Sequence, residues 1–395
     1  MVETQNLLYE SKELHFDNFN RDYLLTWEKS PEQIKATLII AEILKELHSR
    51  NISAQVFQSG LGISLFRDNS TRTRLAYASA CDLLGLAHQE MDEQKSQVYH
   101  GETVRETANM ISFLTETIGI RDDMFIGLGH SFMQEMADSL EEGFKSGVLP
   151  QRTAVINLQS DLDHPTQTLA DLAHLKNYYG KLEILRGKKI VMSWAYSPSY
   201  GKPLSVPQGI IALMSRMGMN VVLAHPNGYE LEEGIVKQAK LFAEESGGEF
   251  SVSHDMKKAF KDADIVYPKS WASYRIMEQR TRLVQEKKTE ELKALEQECL
   301  KENAGHKKWI CDEKLMAATR DGNALYMHCL PADIAGVNCE DGEVSKGVFE
   351  KYRVETYKEA GWKPFIIAAM IMLCRFPEPV KVLEQLYQNN VPRRG

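Results

Sequence analysis

Short apolar runs rich in β-branched residues alternate with amphipathic helical patterns along most of this chain, and that alternation restricts its fold more than any other feature. Ile63-Ser64-Leu65-Phe66 reads as a strand that leads into a helix from Thr71 to about Leu84, and Thr153-Ala154-Val155-Ile156-Asn157 reads as a short buried strand. Helical spacing runs from Pro31 through Leu47, from Val104 to Gly119 with Arg121 closing it, and from Phe132 to Phe144. After Tyr179-Gly180 the pattern restarts. Strands are expected at Lys189–Trp194, Asn220–Ala224, Asp264–Tyr267 and Ala324–Met327, with helices at Gly209–Met217 and Glu230–Glu245. Strands separated by helices cannot pair as tight hairpins, so the sheets are parallel and covered on both faces. A length of 395 residues accommodates two such units. The expected class is therefore α/β, with two doubly wound parallel-sheet domains joined by interdomain helices.

Charge and cysteine usage narrow the function. A formal charge of −8 opposes nucleic-acid binding, which favours a basic face. Cys81, Cys299, Cys311, Cys329, Cys339 and Cys374 form no C-x-x-C pair, so reduced thiols in a cytoplasmic protein are expected. The first residues lack the pattern of a signal peptide, and the apolar run Phe365–Cys374 is too short to span a bilayer. Gly60-Leu61-Gly62 and Gly127-Leu128-Gly129 lack the third glycine of a dinucleotide fingerprint, and His328 with Cys329 lacks partners at metal-ligand spacing, so neither cofactor nor metal is expected. Two segments break the rhythm. Arg275–Lys308 reads as an exposed, salt-bridged helix or helical pair, and Ser197–Pro207 as a stiff loop just past a strand end, where open α/β sheets bind ligands.

Ser70-Thr71-Arg72-Thr73-Arg74 stands where a strand turns into a helix. The first N–H groups of a helix lack partners and sit at the positive end of its dipole, so a phosphate there gains donors, hydroxyls and a forked guanidinium. Downstream, His164-Pro165-Thr166-Gln167 opens another helix. Its imidazole and amide suit a carbonyl group, although His164 taken alone reads sooner as a helix cap than as a catalyst. His328-Cys329-Leu330-Pro331 follows a strand, with no local signal that activates the thiol.

In this order, Ser70–Arg74, Gly101-Glu102 with Thr107, Arg121, His164–Gln167 and His328–Pro331 resemble the transcarbamylase family of aspartate and ornithine carbamoyltransferases. Ser193–Pro198 and Tyr267-Pro268-Lys269-Ser270-Trp271 resemble its knotted N-acetylornithine branch, which implies a trefoil-type knot in the second domain. The resemblance implies a carbamoyl phosphate domain at 1–168, completed by a C-terminal helix within 360–395, and an acceptor domain at 169–359. It puts Ser70, Thr71, Arg72 and Thr73 on the phosphate, Arg121 and His164 by the carbamoyl oxygen, and Gln167 with the backbone of Cys329 and Leu330 on the carbamoyl amide. Thr73, Arg121, His164 and Cys329 are thereby the candidate catalytic positions, and Lys269, Ser270, Trp271, Ser273 and Tyr274 the acceptor positions. It also implies a homotrimer in which a neighbour's loop, Gln94–His100 with Gln97 as the contact, completes the phosphate pocket.

The departures concern the acceptor. Lys269 replaces an aspartate of the ornithine enzymes, which disfavours a free α-ammonium and suits a carboxylate or acylated amine. The arginine expected after Pro331 is absent, and Lys363 stands near where another is common. The implied reaction moves a carbamoyl group between carbamoyl phosphate and an amino or ureido acid. Phosphorolysis of a ureido compound as the working direction, and a paralogue that binds carbamoyl phosphate without turnover, remain open at this stage.

Overall fold

The computed structural model describes residues 2–12, 14, 16–68, 70–92 and 101–394, so the Gln94–His100 loop and Gln97 lie outside the described residues. Two parallel sheets form the frame. The first contains β1 (Leu61–Phe66), β2 (Ala87–Met91), β3 (Thr115–Asp122) and β4 (Ala154–Ser160) in the order β2-β1-β3-β4. The second contains β5 (Lys189–Trp194), β6 (Asn220–Ala224), β7 (Glu249–Ser253), β8 (Ile265–Lys269) and β9 (Leu325–Tyr326) in the order β7-β6-β5-β8-β9.

Each sheet reverses its winding beside its first strand, between β1 and β3 and between β5 and β8. Open α/β sheets bind ligands at the carboxyl ends of such strand pairs. There the register pairs Phe66 with Arg121 in one sheet and Trp194 with Lys269 in the other. Both switch points therefore carry a cation.

The segment read as a helix over Val104–Gly119 divides in two. A Thr103–Glu106 capping box starts a helix that stops at Met110, and Thr115–Asp122 is strand β3. Thr115, Thr117, Ile118 and Ile120 are β-branched and buried between β1 and β4, a setting that favours a strand over a helix. Arg121 consequently sits at a strand end and not at a helix C-terminus. The edge strands β2 and β7 have no counterpart in the sequence reading, because Ala87-His88-Gln89-Glu90-Met91 and Glu249-Phe250-Ser251-Val252-Ser253 are short, polar and largely exposed.

The helix Ser205–Arg216 begins inside the proline-rich loop, with Pro207 in its first turn, where a missing N–H costs nothing. It crosses the helix Pro165–Tyr179 so closely that a Cβ on Gly209 would lie 2.5 Å from Asp163 Oδ1 and 2.6 Å from Thr168 Cγ2. Gln159 Nε2 donates to Ser205 Oγ at 2.9 Å and Gln208 Nε2 to the Leu162 carbonyl at 2.8 Å, which ties the second unit to the end of β4. The buried helix Lys363–Arg375 packs back onto the helices Pro31–Ser49 and Thr71–Leu84 of the first unit. The charged segment forms the helices Tyr274–Gln285 and Thr289–Ala304, bridged by Arg275 to Glu298 and Glu302. No helix among the described residues is long and apolar enough to cross a membrane.

Candidate active site

A cleft of about 840 Å³ opens between the two switch points. Its first wall is the start of the Thr71–Leu84 helix. The Ser70 side chain makes no capping bond, and Ser70, Thr71, Arg72 and Thr73 all face the cleft. The Arg72 guanidinium has no hydrogen-bond or ion-pair partner among the described residues, so its donors are open to a ligand. Arg74 also borders the cleft, but its charge is met by Glu90 and its guanidinium stacks on Phe66 at 4.3 Å.

Arg121 is 14% exposed and fixed on three sides. Its Nε donates to Asp68 Oδ1 and Oδ2 at 2.8 and 2.9 Å, one terminal nitrogen to Asp123 Oδ2 at 3.0 Å, and the other to Thr73 Oγ1 at 3.4 Å. Burial pushes the Asp123 carboxyl up to about 8, with Asp68 adding to the rise and Arg121 opposing it. Asp68 and Asp123 thus share Arg121, and burial favours a proton on Asp123.

His164 caps the Pro165–Tyr179 helix through its backbone. Its N–H donates to Asp163 Oδ1 at 2.7 Å, and Asp163 is anchored in turn by the Thr26 N–H at 2.7 Å. The buried imidazole lines the cleft with Nδ1 3.2 Å from Thr166 Oγ1. Burial, then Lys363, Arg121, Lys269 and Arg72, hold it well below the usual histidine range, so it is neutral. The Thr166 hydroxyl also reaches the Leu158 carbonyl at 3.2 Å, so its proton serves one of the two, and the neutral ring is a donor toward the cleft in its Nε2–H tautomer. Gln167 faces the same space, and its Nε2 donates to Asp171 Oδ1 at 2.6 Å.

The second wall comes from the other sheet. Lys269, buried at the end of β8, donates to the Ser270 carbonyl at 2.8 Å and has no carboxylate in ion-pair contact among the described residues. Lys202, in the proline-rich loop, pairs with Asp333 at 2.6 Å and Glu343 at 3.1 Å. Glu343 is wholly buried and accepts from Lys202, the Ser270 N–H, His328 Nε2 and the Asp333 N–H. His328 Nδ1 accepts from the Leu330 N–H at 2.9 Å, so its proton is on Nε2 and its orientation is set. Leu330 adopts φ +52°, a left-handed conformation in which bulky side chains are rare, at the cleft-lining turn. Burial holds the Cys329 thiol above its ordinary range, which disfavours thiolate chemistry there. Lys363, buried at the start of its helix, points to the same space without a hydrogen-bond or ion-pair partner among the described residues.

The cleft therefore brings together Ser70, Thr71, Arg72, Thr73, Arg121, His164, Gln167, Lys269, Cys329 and Leu330. Four other expected acceptor positions do not line it. Ser270 is buried behind Lys269, Trp271 is a core residue whose indole donates to the Tyr229 carbonyl at 3.0 Å, Ser273 caps the Tyr274–Gln285 helix, and Tyr274 faces a separate groove. Sequence reasoning missed Lys202, Glu343 and Asp333. The position of the proline-rich loop after β5 was a usable signal for Lys202. Nothing local distinguishes Glu343. Among the described residues no group of three or more His, Cys, Asp or Glu side chains is placed to hold a metal ion.

Two groups give this cleft a pH response. Burial, with Arg121 and Arg72 adding, pulls Lys363 down to about 8, and Asp123 is raised to about 8. Lys363 is charged below that value and neutral above it, whereas Asp123 is neutral below and negative above. Both changes remove positive charge as pH rises from 7 to 9. Affinity for a phosphate-bearing ligand is expected to fall by about tenfold or more across that window, with proton uptake on binding near pH 8. Calorimetry in buffers of different ionisation enthalpy measures both quantities.

The model of the aspartate/ornithine carbamoyltransferase carbamoyl-P binding domain matches residues 21–177, and that of the Asp/Orn binding domain matches residues 205–374. YgeW of Escherichia coli O157:H7, whose name places it among the carbamoyltransferases, is 61% identical over 387 residues, spanning 98% of each chain. Ornithine carbamoyltransferase of Pyrococcus abyssi is 29% identical over 312 residues, 79% of this chain and 84% of that one. Acetylornithine transcarbamylase, solved with acetylcitrulline, superposes with a TM-score of 0.71 at 24% identity over 90% of this chain and 99% of its own. Ornithine carbamoyltransferase from Pyrococcus furiosus gives 0.67 at 24% identity, over 90% and 97%. These two likenesses carry the fold.

Proposed function

As a member of the aspartate/ornithine carbamoyltransferase family, this chain is a carbamoyltransferase, and we propose that it moves the carbamoyl group between carbamoyl phosphate at the Ser70–Thr73 turn and an acceptor that carries a carboxylate and no free ammonium. One observation carries this reading. Arg72, Lys269 and Lys363 converge on one cleft with no carboxylate partner among the described residues. The phosphate dianion offsets two positive charges, which leaves one for an acceptor carboxylate. The carboxylates nearby are already engaged: Glu90 by Arg74, Asp333 by Lys202 and Ser197, and Glu343 by four donors. A second ammonium on the acceptor would lack a counter-ion.

In this reading the neutral acceptor nitrogen attacks the carbamoyl carbon. Its lone pair forms the C–N bond while the carbonyl oxygen takes negative charge, facing Thr73, Arg121 and His164. The C–O bond to phosphorus-bound oxygen then breaks, phosphate leaves with the electron pair, and the nitrogen's surplus proton passes to a phosphate oxygen. The residues supply position and fixed charge. The domain division at 1–168 with 360–395 and at 169–359, the knot, a cytoplasmic location and a homotrimer belong to the same proposal.

The test is transfer from radiolabelled carbamoyl phosphate across a panel of amines, with phosphorolysis of ureido acids as the reverse assay. Turnover is expected with anionic acceptors and not with free diamino acids. Lys269→Gln is expected to raise the acceptor KM by about 10- to 100-fold and leave carbamoyl phosphate affinity within threefold. Efficient transfer to a free diamino acid would defeat the acceptor assignment. Carbamoyl phosphate binding without transfer in either direction would replace the reading with a binding paralogue.

A further inference from the structure

Asp171 and Glu359 are fully buried behind the carbamoyl side of the cleft. Asp171 lies one turn beyond Gln167 on the Pro165–Tyr179 helix, and Glu359 near the end of the Lys346–Ala360 helix, so the two arrive from different parts of the chain. Each carboxyl shifts the titration of the other, Glu359 favouring the ionised form of Asp171 and Asp171 favouring the protonated form of Glu359. Two carboxyls in contact in a dry site hold one proton between them.

The partners say where that proton is. Asp171 only accepts: Oδ1 takes the Gln167 Nε2 proton at 2.6 Å and Oδ2 the Tyr267 hydroxyl proton at 3.2 Å. Glu359 Oε2 accepts from the His328 N–H at 3.3 Å, whereas its Oε1 is buried with no donor facing it. A proton on Glu359 Oε1, donated to Asp171, resolves that orphaned atom. Burial and the neighbouring Asp171 raise the Glu359 carboxyl well above its ordinary range, while Lys363 favours the ionised form of Asp171.

We propose that Asp171 and Glu359 form a proton-sharing positioning pair that aims the Gln167 amide oxygen and the Cys329–Leu330 turn at the carbamoyl NH₂. Because ionised Asp171 accepts only, the Gln167 amide must turn its nitrogen to Asp171 and its oxygen to the cleft. Because Glu359 holds the His328 N–H, the following turn keeps its place. The pair thus sets two acceptors for one planar NH₂ group. This inference rests on the carbamoyl phosphate reading above.

The test needs no acceptor. It compares the affinity of the full-length protein for carbamoyl phosphate with that for inorganic phosphate, so that the ratio reports only the grip on the carbamoyl end. Glu359→Gln keeps a donor toward Asp171 and an acceptor toward His328, and the ratio is expected to stay within about twofold. Asp171→Asn can present its NH₂ to Gln167 and turn that amide over, and the ratio is expected to fall about tenfold with inorganic phosphate affinity unchanged. Adding Gln167→Glu to Asp171→Asn restores an acceptor on both sides and is expected to recover most of the ratio. Equal effects of Asp171→Asn and Glu359→Gln, or none from Asp171→Asn, would overturn the proposal. If Asp171→Asn does not fold, the infrared difference spectrum between Glu359→Gln and the wild type decides: it must show the loss of one protonated-carboxyl carbonyl band while that of Asp123 stays, and a spectrum without that loss overturns the proposal. A wild-type protein without preference for carbamoyl phosphate over phosphate would instead defeat the functional reading.

Discussion

Arg121→Gln is expected to lower kcat/KM for carbamoyl phosphate by about a thousandfold. Three effects add. The substitution removes a charge-assisted bond to the ligand, a loss of about 1.5–3 kcal/mol. It leaves Asp68 facing the phosphate without the guanidinium that now accepts its charge through two contacts at 2.8 and 2.9 Å. It also frees Thr73 Oγ1 from its 3.4 Å contact, so the hydroxyl loses its orientation. A lost attraction and a new repulsion together reach about 4 kcal/mol, which is three orders of magnitude. Adding Asp68→Asn to Arg121→Gln removes the repulsion and is expected to recover about tenfold. A loss below tenfold for Arg121→Gln, read by steady-state kinetics and by titration with carbamoyl phosphate, would remove Arg121 from the ligand site.

His164→Ala is the second large effect, and it falls on a different constant. A neutral donor aimed at a developing oxyanion contributes about 100- to 1,000-fold to kcat, while the ground-state carbonyl accepts a weaker bond. The expected result is that loss in kcat with carbamoyl phosphate affinity changed less than threefold. The backbone role of His164 as cap to its helix survives in alanine, because the bond to Asp163 is made by the main-chain N–H. Since burial and four cations keep the imidazole neutral, the wild-type pH profile should carry no acidic limb from it. An acidic limb between pH 6 and 7 that disappears in His164→Ala would show a charged histidine and defeat the donor role.

The lysines distinguish this cleft from a plain phosphate pocket. Lys202 is compensated by two carboxylates, whereas Lys269 and Lys363 are buried without one among the described residues. A cation held in a dry site without a counter-ion loses stability that only an arriving anion restores. That asymmetry is why the acceptor half of the site is read as anionic, and why the fall of Lys363 to about 8 couples ligand affinity to pH.

By itself the sequence determined what local rules encode. The β-branched runs and helical periods specified parallel α/β units, and most elements lie within a few residues of their expected bounds. The Ser70–Arg74 turn and the His164–Gln167 segment were legible as helix starts, because free N–H groups there follow from the chain's own backbone. Only the tertiary structure decided the rest. It moved Arg121 from a helix end to a strand end, since the burial of Thr115–Asp122 between two neighbours outweighed the helical spacing of the residues before it. It drew Lys202, Glu343 and Lys363 into the cleft from three distant segments, and it left Trp271, Ser273 and Tyr274 outside. Which charge is compensated and which is left for a ligand depends on burial and on neighbours far apart in sequence, and no local pattern records that.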